Sequence, residues 1–584
     1  MYDLSAIGIR RVCAGLATWA AVAGGCWAQE ARPPEGVGAS VPFVTLEAEA
    51  AANLTNGMVV RLTGLPKAED HSPELEASGR AYVELKKVGD YLQFPNVPAC
   101  NAMVIRHCIP DAPEGGGITA TLGLYVNGQR RQDISLTSKY NWLYGSGKRG
   151  ENGQNNTPTA FPHVFWDESR LIIAGGVKAG DTIRLQKDAG DGAEFYRIDL
   201  IDLETVPDPL PRPENSLSIA DYGATGKDAA TDTATIQKCI NDAKALGKTV
   251  WMPPGKYLQN EFFVLDGVKV QAAGMWYTEL YDTVGNAAKK WSGNSGFSFK
   301  GDGAGVSDLY IDSLATTYRT GYSPKPFFGE GSNWSIRNVW ITHTGVGVWM
   351  TGQDGIVAGC RVRLTYADGI NINNGKVQAT ANIVVENNHV RGTGDDGLAI
   401  LSQGHKSDSN LTRNVTLRRN TVVAPWWANN CDLAGGGGHV IEDNLFTDGM
   451  GTGFTINLPG AYRMTPLTGA VIRRNTLLRC GGNFANQRRG AIWIFPGSTS
   501  ISGTVIEDNQ IIEPLFRGIH IVGKMAQDIV FNRNVIDRPG EDAIVISKEA
   551  KGSGVFEGNT VRNLNPGRKE MLKEAGEEYQ VITK

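Results

Sequence analysis

Apolar and polar residues alternate in short runs along most of the chain, and Gly, Pro and Asn separate these runs. Alternation with a period of two is typical of β-strands that bury one face. A helical period stands out where Ile236, Ile240 and Ala243 share one face, and no further convincing helix is expected until near Lys569. Thr231 or Asp232 is suited to cap the start of that helix. The pattern predicts a protein built almost entirely of strands and turns.

The first strand-rich region covers residues 40–205. Its runs, of which 43–50 is the first and 195–203 the last, are short and bounded by turn residues, which predicts a β-sandwich. Four prolines then alternate with other residues within 206–215, and such a stretch is stiff and extended. We therefore expect this segment to be a linker and a domain boundary.

Beyond the linker, an asparagine recurs before an apolar residue at steps of 32, 24, 31, 34, 25 and 25 residues. An earlier member, Asn338, precedes the series by 50 residues, which fits two coils with Cys360 near the middle. A repeat of about 25 residues made of strands and turns predicts a parallel β-helix over 216–565, and the leucine pattern of a leucine-rich repeat is missing. We expect residues 566–584 to form a C-terminal tail. The recurring asparagines are Asn388, Asn420, Asn444, Asn475, Asn509, Asn534 and Asn559.

A second column supports this register. Several strands read Gly, apolar, variable, apolar, and in a strand the two apolar side chains point to the same side. The variable residue between them therefore points outward. Stacked coils should align these outward residues on one face: Trp349, Asn371, Ala399, Asp432, Thr455, Trp493 and His520.

Composition agrees with a folded globular chain. Of 584 residues, 57 are Lys or Arg and 61 are Asp or Glu, which gives a net charge of −4, and 72 are Gly. The near balance of charge excludes the basic surface of a nucleic-acid-binding protein, and the modest charged fraction excludes a disordered chain. Frequent glycine indicates many tight turns. We expect a monomer with no nucleic-acid partner.

The N-terminus has the form of a bacterial export signal. Arg10 and Arg11 precede an apolar run of small residues, and a cleavage site is expected after Ala28. We therefore predict that residues 1–28 are removed and that the protein is secreted or periplasmic. A short membrane anchor and lipidation of Cys26 are the alternatives. No later stretch is long and apolar enough to span a bilayer, so stable membrane insertion is not expected.

Six cysteines remain after export, and none of them forms a CxxC pair. A zinc or thioredoxin-type site therefore has no support. Cys100 and Cys108 are candidates for a local disulfide, and the other four are expected to be small core residues.

Three aspartates crowd the outward column. Asp368 and Asp396 each precede a glycine of the column and are 28 residues, or one coil, apart, and Asp395 comes directly before Asp396. Adjacent rungs lie about 4.8 Å apart, so these carboxylates should be close neighbours. Like charges at this range leave one group protonated and another ionised, as an acid and a base. Glycoside hydrolysis needs such a pair, and a separation of about 6.5 to 9.5 Å admits the water for inversion.

Two other interpretations of these aspartates stay open. Asp before Gly is a common turn pair, which on its own accounts for any single Asp-Gly step. The three carboxylates together could also hold a calcium ion. Crowding favours chemistry over the turn, because an acidic cluster repels itself without structural gain.

At this point the sequence resembles glycoside hydrolase family eighty-seven, the mycodextranases and α-1,3-glucanases. The resemblance implies a right-handed β-helix, inverting endo-hydrolysis of α-1,3-linked glucan without a catalytic cofactor, and Asp368, Asp395 and Asp396 as catalysts. Asp408 and Asp432 are candidates for a further family carboxylate. The segments that carry the resemblance are DYGA at 221–224, GMWYT at 274–278, RGTGDDG at 391–397 and PWWANN at 425–430.

Substrate contacts are expected around the aspartates. Sugar rings stack on aromatic side chains through their C–H faces, while their hydroxyls take polar partners. About half of such tryptophans would instead be core residues. The candidate binding residues are Trp349, Asn371, Trp426, Trp427, Asp432 and Trp493.

The N-terminal sandwich resembles carbohydrate-binding modules through the LEAE segment at 46–49 and the closing Ile198-Asp199 step. Glu47 and Glu49 share one strand face, and with Asp199 they could form an oxygen-rich structural calcium site. The alternative is a solvated strand face.

Three classes of function compete at this stage: hydrolysis of a neutral glucan, cleavage of another glycan by a lyase or a hydrolase, and binding without catalysis. The leading hypothesis is an exported endo-glycosidase acting on a neutral α-glucan. A β-helix polysaccharide lyase, with Arg489 or Arg517 as the proton-abstracting residue, and a polygalacturonase-like hydrolase are alternatives, although the net charge of −4 argues mildly against an anionic substrate. The third is a non-catalytic glycan-binding solenoid.

Overall fold

The computed structural model describes residues 34–67, 72–144, 162–164, 166–227, 231–287, 295–316, 324–374, 379–404, 411–484, 487–497 and 499–584. The predicted export signal at 1–28, including Cys26, and the candidate Asp408 lie outside these residues. Within them, no helix has both the length and the apolar character needed to cross a membrane.

Two antiparallel sheets near the N-terminus pack face to face, as predicted. Their alternating inward side chains, among them Leu85, Ile105 and Leu124, form one core. One sheet contains Phe43–Glu47, Met58–Arg61, Ala81–Leu85, Cys100–Cys108, Asp167–Val177 and Tyr196–Glu204. The other contains Leu54–Thr55, Tyr91–Phe94, Thr119–Val126, Gln129–Thr137 and Ile183–Gln186, and Trp142–Tyr144 pairs separately with Pro162–Val164.

The rest of the chain winds into a parallel β-helix with three sheets, which we call the back sheet, the sandwich-facing sheet and the cleft sheet. Their inward apolar side chains form one continuous core. The back sheet contains Ser216–Ser218, Thr249–Met252, Lys269–Ala272, Gly305–Ser307, Ser335–Arg337, Ile356–Ala358, Thr380–Ala381, Val384–Glu386, Thr412–Arg413, Thr416–Arg418, Gly436–Gly437, Val440–Glu442, Leu467–Thr468, Val471–Arg473, Ile501–Ser502, Val505–Glu507, Ala526–Asn532, Gly552–Glu557 and Tyr579–Thr583.

The other two sheets carry one strand for each coil. The sandwich-facing sheet contains Gly255–Gln259, Thr278–Asp282, Tyr310–Ser313, Trp340–Ile341, Arg361–Arg363, His389–Arg391, Thr421–Val423, Leu445–Thr447, Thr476–Leu478, Gln510–Ile512, Val535–Asp537 and Thr560–Arg562. The cleft sheet contains Phe263–Asp266, Phe297–Lys300, Phe327–Gly329, Val348–Met350, Ile370–Asn373, Leu398–Leu401, Cys431–Ala434, Phe454–Asn457, Gly490–Phe495, Arg517–Ile521, Ile544–Ile546 and Met571–Lys573. A small hairpin, Asn483–Phe484 with Gln487–Arg488, stands beside the cleft sheet.

The predicted helix is present as Thr233–Leu246 and ends at Gly247, which adopts a φ of 64°. Ile236, Ile240 and Ala243 on its predicted face are buried in the core of the first coils. The other helical segments are short: Pro73–Glu76, Ser78–Arg80, Ile219–Tyr222, Gly285–Ala287 and Gly460–Tyr462.

The recurring asparagines form an internal ladder from Asn388 to Asn559. The side-chain amide of each member donates to the Oδ1 of the next, at 2.9 to 3.0 Å. Asn338 does not belong to it, because it is exposed and Cys360 takes the ladder position, donating its backbone N–H to Asn388 at 2.9 Å. Stacked amides satisfy one another at each turn, which fixes the register of the coils.

Two expectations are corrected by the strands. Cys100 and Cys108 are the two ends of one strand, and eight steps of about 3.3 Å keep them far beyond disulfide range, so both are buried free thiols. The segment 566–584 is not a separate tail, since Met571–Lys573 and Tyr579–Thr583 pair in parallel with the preceding coil.

The sandwich packs directly against the β-helix through buried ion pairs. Arg361 makes two hydrogen bonds to Glu204, at 2.7 and 2.8 Å. Arg391 reaches Glu168 and Asp202, each at 2.6 Å. All five side chains are at most 6% exposed. The sandwich therefore contributes carboxylates that neutralise a row of arginines on the sandwich-facing sheet.

Candidate active site

Strand pairing in the cleft sheet aligns the outward column as predicted. Trp349 pairs with Asn371, Asn371 with Ala399, and Ala399 with Asp432. The column continues through Thr455 to Trp493 and His520. Outward positions of successive coils therefore lie on one line, with a spacing of about 4.8 Å per rung.

The three predicted aspartates meet where the cleft-sheet strands begin. Backbone hydrogen bonds fix them, since Gly347 N–H donates to the carbonyl of Asp368 at 3.1 Å and Gly369 N–H to that of Asp396 at 2.9 Å. One carboxylate oxygen from each of Asp368, Asp395 and Asp396 lies within 4.8 Å of the other two. All three side chains are 7 to 8% exposed. The fold thus brings three carboxylates to one point at the bottom of a cleft.

Neighbouring amides orient two of these carboxylates. Asn371 Nδ2 donates to Asp368 Oδ2 at 2.8 Å. Asn429 donates both its side-chain amide, at 2.7 Å, and its backbone N–H, at 3.2 Å, to Asp396 Oδ1. The Thr452 hydroxyl in turn donates to Asn429 Oδ1 at 2.8 Å, which fixes the amide orientation. Asp368 is therefore held in one direction by a residue of its own coil, and Asp396 by a residue of the next coil.

A fourth carboxylate, Asp432, stands one rung further along. Its pKa is raised well above its usual range by burial and by the charges of Asp396 and Asp368, and Arg489 opposes this shift. Its Oδ1 atom is buried and accepts no hydrogen bond from the described residues. Asp432 is therefore favoured in its protonated form.

One lysine faces the acidic cluster across the cleft. Burial lowers the pKa of Lys325 to about 8, while the charge of Asp368 acts in the opposite direction. Its ammonium lies 5.8 Å from the ring centre of Trp349. At neutral pH Lys325 is charged, and this charge favours an ionised Asp368.

The cleft around the aspartates has a volume of about 440 Å³ and both polar and aromatic walls. Trp349 and Trp427 are half-buried, and Trp427 meets Phe484 edge to face with ring centres 4.9 Å apart. The residues that line the cleft include Trp349, Asn371, Gln403, Trp427, Asp432, Tyr462, Phe484 and Arg489. Aromatic surfaces beside amides and carboxyls are the surroundings that a sugar ring requires.

Two predicted substrate contacts are not in this cleft. Trp426 is 4% exposed and packs under the site with Leu143, Ala315 and Tyr366. A Cβ on Gly394 would lie 2.3 Å from Trp426 Cζ2, so this glycine makes room for the indole. Trp493 is also 4% exposed and lines a neighbouring cavity.

The candidate calcium residues are buried but do not converge. Burial and the charge of Asp199 raise the pKa of Glu47 to about 8. Burial and the charges of Glu47 and Asp199 raise the pKa of Glu49 to about 9. Asp199 forms an ion pair with Arg106, although burial still raises its pKa to about 6. Among the described residues, the only three acidic side chains with ligand oxygens all within 4.8 Å of one another are those of the cleft.

Three residues of the cleft were not predicted from the sequence: Lys325, Phe484 and Asn429. Lys325 and Phe484 lie in segments outside the repeating strands, so periodicity does not reveal them. Asn429 lies in the PWWANN segment, directly before the residue that opens the next rung. Its position one coil after Asp396 is the signal that could have identified it as a neighbour of that aspartate.

Family comparisons agree with this geometry. A model described as alpha-1,3-glucanase catalytic domain D1 matches residues 40–206, and one described as alpha-1,3-glucanase catalytic domain D2 matches residues 227–555, more than half of the chain. The chain belongs to the α-1,3-glucanase family, glycoside hydrolase family 87. The sandwich and the β-helix each match one part of the catalytic unit of this α-1,3-glucanase family. No curated protein matches significantly.

Three solved structures, two of them described as α-1,3-glucanases, share the whole architecture. The Agl-KA catalytic domain is 25% identical, with a TM-score of 0.81, and the match covers 95% of this chain and 100% of that one. The catalytic unit of a thermostable enzyme from Streptomyces thermodiastaticus strain HF3-3 is also 25% identical, with a TM-score of 0.78 and coverages of 93% and 96%. A further catalytic domain, in complex with nigerose, is 24% identical, with a TM-score of 0.79 and coverages of 93% and 98%. The shared fold agrees with the membership of the α-1,3-glucanase family that the two family models show, and this membership makes the protein a glycoside hydrolase.

Proposed function

We propose that this enzyme cuts α-1,3 bonds within a neutral α-glucan such as α-1,3-glucan or nigeran, by an inverting, aspartate-based reaction. The observation that carries the proposal is the meeting of Asp368, Asp395 and Asp396 within 4.8 Å at the bottom of an aromatic-lined cleft. The complexes of related α-1,3-glucanases with nigerose, including one in which an aspartate is replaced by alanine, support the linkage.

The surroundings of the aspartates support different roles. Lys325 and the amide of Asn371 favour an ionised Asp368, which suits it to accept a proton from the attacking water. Asp396 accepts two hydrogen bonds from Asn429, which favour its ionised form in the same way. We assign Asp395, on which the charges of these two neighbours favour a proton, as the acid that protonates the leaving oxygen, and Asp396 as a second acceptor for the water.

Inversion follows in this proposal from the number of carboxylates rather than from their separation. The nearest oxygens are closer than the separation of about 6.5 to 9.5 Å that is typical of inverting pairs. Three carboxylates leave two to hold one water while the third donates its proton. The water then attacks from the side opposite to the leaving group.

Linkage and stereochemistry can be tested together. The purified protein is incubated with α-1,3-glucan, nigeran, dextran and polygalacturonate, and reducing ends, ultraviolet absorbance and product lengths are followed. We expect oligosaccharides of several lengths from the α-1,3-containing glucans alone, with the β-anomer formed first in proton NMR. Products from dextran alone, unsaturated products, or an initial α-anomer would each refute the corresponding part of the proposal.

We also propose that the enzyme is exported and that its sandwich binds calcium at Glu47, Glu49 and Asp199. The donor chemistry fits, because one oxygen of each of these side chains is buried and accepts no hydrogen bond from the described residues. The side chains would have to move together to share one ion. Binding would replace the protons that the raised pKa values retain.

Calcium and pH should act together on stability. The folded protein holds protons on Glu47 and Glu49 that the unfolded chain releases near pH 4.5, so without a cation stability falls as pH rises from 4.5 through about 8 to 9. Added Ca²⁺ should therefore raise the melting temperature more at pH 8 than at pH 5, and Glu49→Gln should abolish that gain. Equal melting curves in Ca²⁺ and in chelator at pH 8 would exclude the site.

A further inference from the structure

A second cavity of about 600 Å³ lies on the cleft sheet beyond the aspartates. The register runs from Asp432 through Thr455 to Trp493 and then to His520, so the cavity begins two rungs, or about 10 Å, from Asp432. It therefore lies on the line along which a chain bound in the cleft would continue.

We propose that this cavity is a distal subsite for neutral sugar units of the same glucan chain, with Phe495 as its stacking platform. The inference rests on the proposed glucan hydrolysis and adds a binding site to it. Trp493, the aromatic residue expected here from the sequence, is 4% exposed and cannot take this role, because Arg489 and Phe495 pack against its ring. The Arg489 guanidinium lies 3.9 Å from one ring centre, and Phe495 stacks in parallel at 5.1 Å.

Phe495 has the exposure that Trp493 lacks. It is half-buried and lines the cavity together with Gly523 and Ser547. A Cβ on residue 523 would lie 3.4 Å from Cδ2 of Phe495, so the glycine there keeps a side chain from packing against this edge of the ring. An aromatic face with open space beside it is the usual platform for a pyranose ring.

The polar groups of the cavity can bind sugar hydroxyls. His520 shares a hydrogen bond of 2.9 Å with Ser547, and burial together with Arg517 and Arg489 lowers the pKa of His520 to about 3, so its imidazole is neutral. Glu541 pairs with both nearby arginines, Arg488 at 2.8 Å and Arg517 at 3.6 Å. Glu541 thus divides one negative charge between two arginines, and a second carboxylate, Glu549, also lines the cavity. Sugar hydroxyls can take both donors and acceptors from these groups.

One hairpin joins the cavity to the cleft. Phe484 lines the cleft, and its neighbour Asn483 lines the cavity. The Oδ1 of Asn483 is buried and accepts no hydrogen bond from the described residues. Arg489 lines the cleft while lying over Trp493, so the two spaces share a wall. A glucan bound across both would pass along this hairpin.

Binding as a function of chain length tests the subsite. In an inactive Asp368→Asn, Asp396→Asn background, calorimetry measures Kd for α-1,3-linked oligosaccharides from nigerose upward. We expect Kd to tighten as the chain grows long enough to reach the cavity. Phe495→Ala should raise the Kd of the long oligosaccharides by about fivefold to tenfold and that of nigerose by less than about twofold. Ser547→Trp, which fills the same cavity from a later rung, should have the same effect.

A matched surface variant and a second ligand make the test decisive. Val264→Ala changes an exposed residue of the same sheet, far from the cleft and the second cavity. It should alter the Kd of neither nigerose nor the long oligosaccharides. Equal weakening at all lengths, no weakening, or tighter binding of polygalacturonate than of glucan would overturn the subsite. If the wild-type enzyme cuts no α-1,3-glucan and the background binds no oligosaccharide, the proposed function itself fails and the subsite falls with it.

Discussion

The sandwich-facing sheet and the cleft sheet both bury charged side chains on their outer faces, but they treat the charge in opposite ways. On the first, Arg361 and Arg391 are matched by carboxylates of the sandwich at 2.6 to 2.8 Å. On the second, Asp368, Asp396 and Asp432 crowd together beside open space. Opposite charges that satisfy one another hold two domains together, whereas like charges left in a cleft are available for chemistry.

Removing a buried charge should have a different effect on each of the two sheets. Removing one partner of a buried ion pair leaves an uncompensated charge and costs several kcal/mol of stability. Neutralising one member of a like-charge cluster relieves repulsion and removes a proton acceptor. Substitutions on the two sheets should therefore differ in whether stability or activity is lost.

The largest loss of stability is expected from Arg391→Met. The substitution leaves Glu168 and Asp202 buried without their shared partner, which should cost about 3 to 5 kcal/mol of unfolding free energy. Denaturant midpoints and melting temperatures measure the effect. An unchanged midpoint would mean that the sandwich is not held by these pairs.

Asn429→Ala should reduce activity with little effect on stability. Asp396 loses its shortest hydrogen bond and its fixed direction, and misplacement of a catalytic group by about 1 Å costs up to about 100-fold in rate. We expect kcat to fall by about 10- to 100-fold with a nearly constant KM. Asn414→Ala, at an exposed asparagine of the same β-helix, is the control and should keep full activity.

Lys325 should set the alkaline limit of activity. Its pKa of about 8 means that the charge facing Asp368 is lost as pH rises through 8, so we expect kcat/KM to fall above that pH. Stability should change in the opposite direction, because between pH 8 and 10.5 the unfolded chain binds the proton that the folded protein has released. Lys325→Met should abolish the alkaline limb, and Lys300→Met, at an exposed lysine of the cleft sheet, should retain it.

The smallest effect is expected for an exposed ion pair on the back of the β-helix. Arg533 is 52% exposed and contacts Glu507 and Asp508. Arg533→Met should leave the denaturant midpoint and the melting temperature nearly unchanged, and salt should reduce even a small shift. A loss as large as that of Arg391→Met would show that burial does not explain the difference between the two arginines.

Repetition explains which features were predictable from the sequence. The asparagine steps and the outward column identified the β-helix and its register, and Asp368 with Asp396 followed from that register. Contacts between distant segments have no such signal, as in the pairing of Arg391 with Glu168 across 223 residues. Trp426 was predicted as a substrate contact, but it is buried in a space that Gly394 of another coil creates. Trp493 is buried because Arg489 and Phe495 pack against its ring.

The most direct test of the account measures activity and stability on the same three variants. Asp368→Asn, Asp395→Asn and Asp396→Asn are compared with the wild-type enzyme for reducing-end release from α-1,3-glucan and for melting temperature. We predict that kcat falls by about 10²- to 10⁴-fold in each, while the melting temperature stays constant or rises because repulsion is relieved. Wild-type activity in all three variants, or loss of activity only together with unfolding, would contradict the claim that the crowded aspartates perform the hydrolysis.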